Sequence, residues 1–553
     1  MKKSGAGLRT KAWPGLQRRT LLGAGLASLV TACQPWLDAD AGNAHITGGF
    51  TGIDHARGHL LRNTQVWPAP AVLHKTRVLI AGGGVAGLAA ARALRLRGMQ
   101  DFALLELEDE AGGNARGGSV GAIACPLGAH YLPLPGDDAP EVQGLLEEFG
   151  LRQRVAGRWE YDERHLCHSP QERLFFNGAW QEGLLPVQGV DAGTLAHYRR
   201  FAALVKQARK AARWSIPAHR SVQTPFKQAL AAMTFDTYLK QQGLDDVHLR
   251  WYLDYCCRDD YGAGLETVSA WAGIHYFASR HGFHAPGAES AEREGLLTWP
   301  EGNAWLTRRM AAPLGERLRA GQIVLRVEQS KHAVEVDAFN TATQQMERWQ
   351  AEQVIVALPL FVAARSVRNA PDFLTQTAAR TVYAPWLVAN MHIDKPLFDR
   401  PGPPPSWDNV VYGDAQTAPG LGYVDAMHQS LLPVPGATVL THYRALGNVA
   451  GGPAKGREQL LQQPWSQWRD EILRELSVAH PDIARKATRI DITRYGHAMA
   501  IPVPDGQGRV GQVPPAWGRI RFAHSDWAGY SVFEEAFALG HLAGNRLAQA
   551  AMA

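Results

Sequence analysis

Cysteine is scarce in this chain and carries no pattern. Cys33, Cys125, Cys167, Cys256 and Cys257 form no C-x-x-C pair and keep no metal-ligand spacing with histidine. That leaves no zinc site and no disulfide framework to be read, and 553 residues can bury a large core without either. Cys256 and Cys257 read as inert packing, since buried thiols behave as small hydrophobes. Neither an H-E-x-x-H zinc helix nor a Walker phosphate loop is present. There is no internal repeat, and Pro401–Pro405 is the one low-complexity tract. Acid is missing from residues 1–32, which hold Lys2, Lys3, Arg9, Lys11, Arg18 and Arg19; without them the formal charge of +5 becomes −1. A body so near neutrality lacks the basic footprint of a nucleic-acid binder.

What residues 1–33 do contain is a basic stretch, then Arg18-Arg19-Thr20-Leu21-Leu22 and an apolar run to Ala32. The run, Leu21–Ala32, has 12 residues, too few to span a bilayer. The arginine pair resembles a twin-arginine export signal. Leu29-Val30-Thr31-Ala32-Cys33 resembles a lipobox. The two resemblances imply a periplasmic or exported protein, delivered already folded by the twin-arginine machinery and anchored to a membrane through acylated Cys33. A plain signal peptide with an incidental cysteine is the alternative. Residues 34–74, rich in Gly, Ala, Asp and Pro, read as a linker or extension.

At Arg77 the character changes. Arg77–Ala81 is a short apolar run suited to a buried parallel strand. Gly82-Gly83-Gly84-Val85-Ala86-Gly87 follows, and then Leu88–Arg97 reads as a helix closed by Gly98. Phe102–Glu106 reads as the second strand of a βαβ unit. A G-x-G-x-x-G loop in that context binds a dinucleotide: Gly82 allows the turn, Gly84 lets the backbone approach a diphosphate, and Gly87 lets helix and strand pack. The phosphates then meet free N–H groups at the helix N-terminus, beside Val85 and Ala86. Glu106 at the end of the second strand is placed to accept hydrogen bonds from the ribose hydroxyls.

Glu106 through Gly112-Gly113 resembles the E-x-x-x-x-x-G-G signature of the flavin-dependent amine oxidase superfamily, which spans amine oxidases, protoporphyrinogen oxidase and carotenoid desaturases. The resemblance implies non-covalent FAD; no cysteine follows Cys257 to form a covalent link. The family's arginine after the glycine pair is replaced by Asn114, with Arg116 two residues on. Gly128-Ala129-His130-Tyr131 is similar to the turn near the isoalloxazine. Trp299–Asn303 is similar to a segment that opens a helix. Val327 falls where the family meets adenine, and Ala357-Leu358-Pro359 matches the A-x-P strand end. Phe522–Asp526 resembles F-A-G-x-E/D, which implies a cofactor contact for Asp526. Glu535-Ala536, before Leu539-Gly540, is similar to the helix start beneath the flavin. His524 and Glu535 stand where the family has glycine.

The resemblance also implies the chemistry: a hydride leaves a substrate C–H bond for the flavin, and dioxygen or another acceptor reoxidises it. Many amine oxidases hold a lysine near the flavin, and here its position falls at Val388. Amine oxidation is weakened by that departure, while desaturation or isomerisation of an apolar substrate gains weight. A non-enzymatic FAD-bound partner protein is a further alternative. Trp527-Ala528-Gly529-Tyr530 echoes an aromatic-cage sequence, so Tyr530 is a candidate wall of the substrate site, with a packed loop aromatic as the alternative. Tyr495 and His497 are further pocket candidates. No metal site is expected.

The expected fold is α/β: a discontinuous Rossmann-like FAD domain of the glutathione-reductase type (75–145, 292–365 and 490–553) with an α+β substrate domain (146–291 and 366–489). Residues 1–33 form the signal and 34–74 the linker. Within these, Leu195–Ala212, Phe235–Gln242 and Gly302–Arg319 read as helices; Ile323–Val327, Ala333–Val336 and Gln353–Leu358 read as strands.

Overall fold

The computed structural model describes residues 42–62, 67–168, 171–287, 295–505 and 511–552. The export signal and Cys33 lie outside the described residues. The described residues from Thr47 onward form one compact unit that holds two large sheets.

The first sheet has seven strands. Its parallel centre is Phe102–Leu105, Val72–Ala81 and the C-terminal half of Gln345–Val356, joined by Ile520–Phe522. Val78–Ala81 and Phe102–Leu105 are buried on both faces, so their near-continuous apolar sequence is what a covered parallel strand needs. Val334–Asn340 and Gln322–Gln329 add an antiparallel flap. The glycine-loop helix, Val85–Leu96, packs on this sheet and against the C-terminal helix Phe533–Met552. That contact is close because small residues meet: a Cβ on Gly540 would lie 2.0 Å from the Ala86 carbonyl oxygen, and one on Gly544 2.5 Å from that of Ala90.

The second sheet has eight strands, in the order Thr47–Thr51, Ala487–Ile501, Val382–Ile393, Thr438–Ala445, Tyr423–Asp425, Asp408–Val411, Glu172–Phe176 and Ala179–Glu182. One of its faces packs on helices including Ala192–Ala211, Val247–Tyr261 and Ala270–Ala278, in a core rich in aromatic residues.

The mixed α/β architecture, a Rossmann-like layer beside a sheet-and-helix layer, is the one expected. Three local expectations change. Residues 47–62, read as linker, form a strand parallel to Ala487–Ile501 and a short helix, His55–His59, capped by Asp54. Residues 487–501 are a strand of the second sheet, so the chain returns to the first only at Ile520. The helix expected over Gly302–Arg319 ends at Ala311, where Pro313 and the positive φ of Gly315 convert it to a 3-10 segment and a bridge strand.

Candidate functional site

Both layers face one cavity of about 860 Å³. Its floor is the glycine loop. Gly82 turns at φ +105°, and a Cβ on Gly87 would stand 1.9 Å from the Gly82 carbonyl oxygen. Only glycine therefore lets the helix start this close to the strand. Gly84 is the N-cap and supplies no side-chain cap, so the first N–H groups of the helix are left for an anion. Glu106 closes this end. Its Oε2 accepts from the Gly83 N–H at 2.8 Å and its Oε1 from the Glu108 N–H at 2.9 Å. Burial nonetheless raises its pKa, with the two amides and Arg116 only partly offsetting it. Such a buried acceptor beside an uncapped helix fits the ribose and diphosphate of a dinucleotide.

The cavity wall includes Gly82, Gly84, Val85, Ala86, Glu106, Gly112, Gly113, Asn114, Gly128, Ala129, His130, Tyr131, Ala357, Asp526 and Ala536, and also Tyr495 and His497. Asn114 donates to the Ala498 carbonyl. The His130 ring stacks on Tyr443 at 4.3 Å, and burial pushes its pKa down to about 3, so it is neutral. Tyr443 donates to the Gly128 carbonyl at 3.0 Å and Tyr495 to that of Leu127 at 2.9 Å. Both hydroxyls thus pin the turn that presents His130. His497 packs on Phe361; burial, then Arg457, Arg62 and Arg365, lower its pKa to about 4. Asp526 accepts from the Leu360 N–H at 3.0 Å and the Tyr383 hydroxyl at 2.6 Å. Burial opposes its charge, but His524 and these donors hold its pKa below the usual value.

Five expected residues do not line the cavity. Gly87 serves helix–strand packing. Arg116 turns instead to the 47–62 segment, donating to the Gly52 carbonyl at 2.6 Å. Val327 is fully buried, its backbone bridged to Val367, and Gln322 and Val324 reach the cavity in its place. Tyr530 and Glu535 are both fully buried in a bonded pair behind the wall. The cage wall expected at Tyr530 is therefore the packed-aromatic alternative, and Glu535 is not a cavity residue.

Other wall residues carried no motif. Ile53, Asp54, His55, Gly58, His59, Leu61 and Arg62 form a strap across one side. Arg57 ties it to the turn after Glu106, bonding Asp109 at 2.7 Å and the Leu107 carbonyl at 3.3 Å. The other side adds Trp386, Val388, Tyr443 and Met499 from the second sheet, and Asp259, Asp260, Arg280 and Glu534 from helix ends. No lysine is among the described wall residues. A G-x-S-x-G string at Gly117–Gly121 lies in a hairpin strand with Ser119 exposed, not at a strand-to-helix elbow. Cys256 and Cys257 are buried, and burial raises both thiol pKa values.

Residues 85–548 match the profile of the flavin containing amine oxidoreductases. The chain belongs to that family. Three solved structures share its fold. Wild-type putrescine oxidase bound to putrescine aligns with TM-score 0.63 and 17% identity over 87% of this chain and 99% of its own. Cyclohexylamine oxidase from Brevibacterium oxydans IH-35A aligns with TM-score 0.62 and 17% identity over 86% and 100%. A fatty acid isomerase from P. acnes that produces CLA aligns with TM-score 0.56 and 14% identity over 85% and 98%. This flavin-containing amine oxidoreductase is an FAD-dependent oxidoreductase, and the glycine loop, uncapped helix and Glu106 fit that cofactor.

Proposed function

We propose that this protein oxidises an amine at the carbon bearing the nitrogen, with FAD held non-covalently in the cavity. The observation that carries this reading is the continuity of the cavity wall. The dinucleotide features at Gly82–Ala86 and Glu106 share one chamber with an aromatic group, His130, Trp386, Tyr443 and Tyr495. FAD supplies the hydride acceptor when bound. The protein's part is to orient the donor and exclude water. Apolar rings accept a neutral amine, the form whose lone pair assists loss of hydride from the adjacent carbon. Neutral His130 and the engaged hydroxyls of Tyr443 and Tyr495 keep the aromatic part of the wall uncharged.

Val388 in the wall, without a lysine, supports a second reading: desaturation or isomerisation of an apolar substrate. Four charged side chains in the same wall, Asp259, Asp260, Arg280 and Glu534, weigh against a wholly apolar occupant. Dioxygen or another acceptor reoxidises the flavin after amine oxidation or desaturation, whereas isomerisation returns the hydride to the substrate. We also propose export through the twin-arginine signal and membrane anchorage at Cys33, on the sequence resemblance of residues 18–33. Anaerobic mixing of the purified flavoprotein with a panel of mono- and polyamines tests the first reading. Bleaching of the flavin absorbance by an amine is expected. Silence across the panel, with bleaching by an unsaturated or polycyclic donor, supports the second.

A further inference from the structure

The loop between the strands Tyr423–Asp425 and Thr438–Ala445 ends in an apolar tip, Leu431-Leu432-Pro433-Val434-Pro435. Leu431 is 99% exposed, Val434 72% and Leu432 64%. A Cβ on Gly436, which closes the tip, would meet no heavy atom within 4 Å. The foot of the loop is fixed: the His428 N–H donates to the Asp425 carbonyl at 3.2 Å, and the Gln429 amide to the Arg164 carbonyl at 3.4 Å. A run of exposed apolar residues on a held foot has a cost in water that a partner phase removes. Strand register places further features at the same end of the eight-stranded sheet. Thr438 pairs with Ile393, Ile393 with Ala487, and Arg489 with Thr47, where the N-terminal strand begins. Phe398, 61% exposed, follows shortly after Ile393. Lys395 and Arg485 are exposed there, with Asp394 between them in charge. The Asp394 N–H donates to the Lys486 carbonyl at 3.0 Å and joins the two segments that carry them.

We infer that this end of the sheet is a membrane-contact surface, and that the tip Leu431–Val434 enters the interface of a phospholipid bilayer. The inference builds on the anchorage proposed at Cys33 and gives the anchored protein an orientation. Cys33 lies 14 residues before Thr47. That length of chain reaches at most about 50 Å, so a lipid there keeps the end that carries the tip close to the bilayer and raises its effective concentration. The shape of the tip favours lipid over a protein. A convex, almost wholly exposed leucine needs a groove in a protein partner, whereas a bilayer interface takes any apolar projection. Pro433 and Pro435 have no N–H, so two fewer backbone donors are stripped of water on entry, where each lost donor is costly. Lys395 and Arg485 suit anionic headgroups beside the tip.

The full chain, loaded with flavin, is tested with an environment-sensitive dye on Val434→Cys and, as a control, on Val222→Cys. Val222 is 79% exposed, and it leads into the helix Pro225–Ala231, whose Ala231 carbonyl accepts from Asp505 beyond the opposite end of Ala487–Ile501. The wild type, labelled through its own cysteines, sets the blank. With vesicles of phosphatidylethanolamine and phosphatidylglycerol, the Val434 dye is expected to shift to the blue, gain emission and be quenched by lipids spin-labelled in the acyl chain. The Val222 dye is expected to show none of these. Leu431→Ser with Leu432→Ser, beside the Val434 dye, is expected to weaken insertion at least about tenfold, the worth of about one buried leucine. Acylation of Cys33 is read separately by intact mass. A chain without the acyl group whose Val434 dye still shifts sinks the anchorage and keeps the surface. An acylated, vesicle-bound chain whose Val434 dye stays unshifted overturns the surface and leaves the anchorage standing. A shift that grows with protein concentration in the absence of vesicles assigns the tip to a second copy of the chain and also overturns it.

Discussion

The Tyr530 hydroxyl donates to Glu535 Oε1 at 2.6 Å, and this bond holds both residues behind the cavity wall. His275 Nε2 lies 3.0 Å from the same hydroxyl, and the Ala218 N–H donates to the same carboxylate oxygen at 2.5 Å. The group is sealed among Tyr261, Trp271 and Trp214. Tyr530→Phe removes the donor from a buried carboxylate. Stability is expected to fall by about 1–3 kcal/mol, read as a lower thermal midpoint, while flavin content holds. A variant with wild-type stability and altered amine KM would return Tyr530 to the substrate wall.

The same burial gives Glu535 a pH signature. Its pKa is pushed up to about 7 from an ordinary value of 4.5, by desolvation opposed by the Tyr530 and Ala218 bonds. The folded protein thus holds this proton more tightly than the unfolded chain. The contribution to stability is complete below about pH 4.5 and declines as pH rises through about 7. Denaturant titrations of wild type and Glu535→Gln across that window are expected to show the wild-type stability falling relative to the variant with rising pH. Parallel curves would contradict the assignment.

Glu106 gives the clearest cofactor prediction. Glu106→Gln keeps the shape but loses the charged acceptor opposite the glycine loop. FAD affinity is expected to fall about 10- to 100-fold, the worth of a hydrogen bond to a charged group. Fluorescence titration of the apoprotein measures it, and an unchanged affinity would place the ribose elsewhere.

Arg57→Ala tests the strap. It cuts the tie between His55–His59 and the turn Leu107–Asp109 while leaving the strand Thr47–Thr51 in its sheet. Faster FAD release is expected, by about three- to tenfold for one partly exposed ion pair. The rise of free flavin fluorescence on dilution reads it.

Residue neighbourhood along the chain decides what could be read in advance. The glycine loop, Glu106 and Gly112-Gly113 are local features, since each glycine answers to backbone a few residues away, and the mixed α/β fold followed from them. Val327 illustrates the limit. The strand was legible, but its bridge to Val367 and the displacement of the cavity edge to Val324 depend on a backbone partner 40 residues on. The strap is further out of reach: no glycine or charge pattern in residues 47–62 announces that Thr47–Thr51 pairs with Arg489–Thr493. The carboxylates Asp259 and Glu534 sit on separate helices, and only the fold brings both into one wall. Tyr530 failed for a related reason. Its short motif suggested a cage, but Glu535, standing where the family has glycine, captured the hydroxyl.

The cavity's central task, carrying FAD and taking hydride from an amine, is tested most directly by anaerobic titration of the purified chain, followed from about 300 to about 600 nm, where flavins absorb. A bound flavin is predicted, released as FAD by denaturation and bleached stoichiometrically by an amine. A chain that takes up no FAD, or a full flavin that no amine reduces, would contradict it.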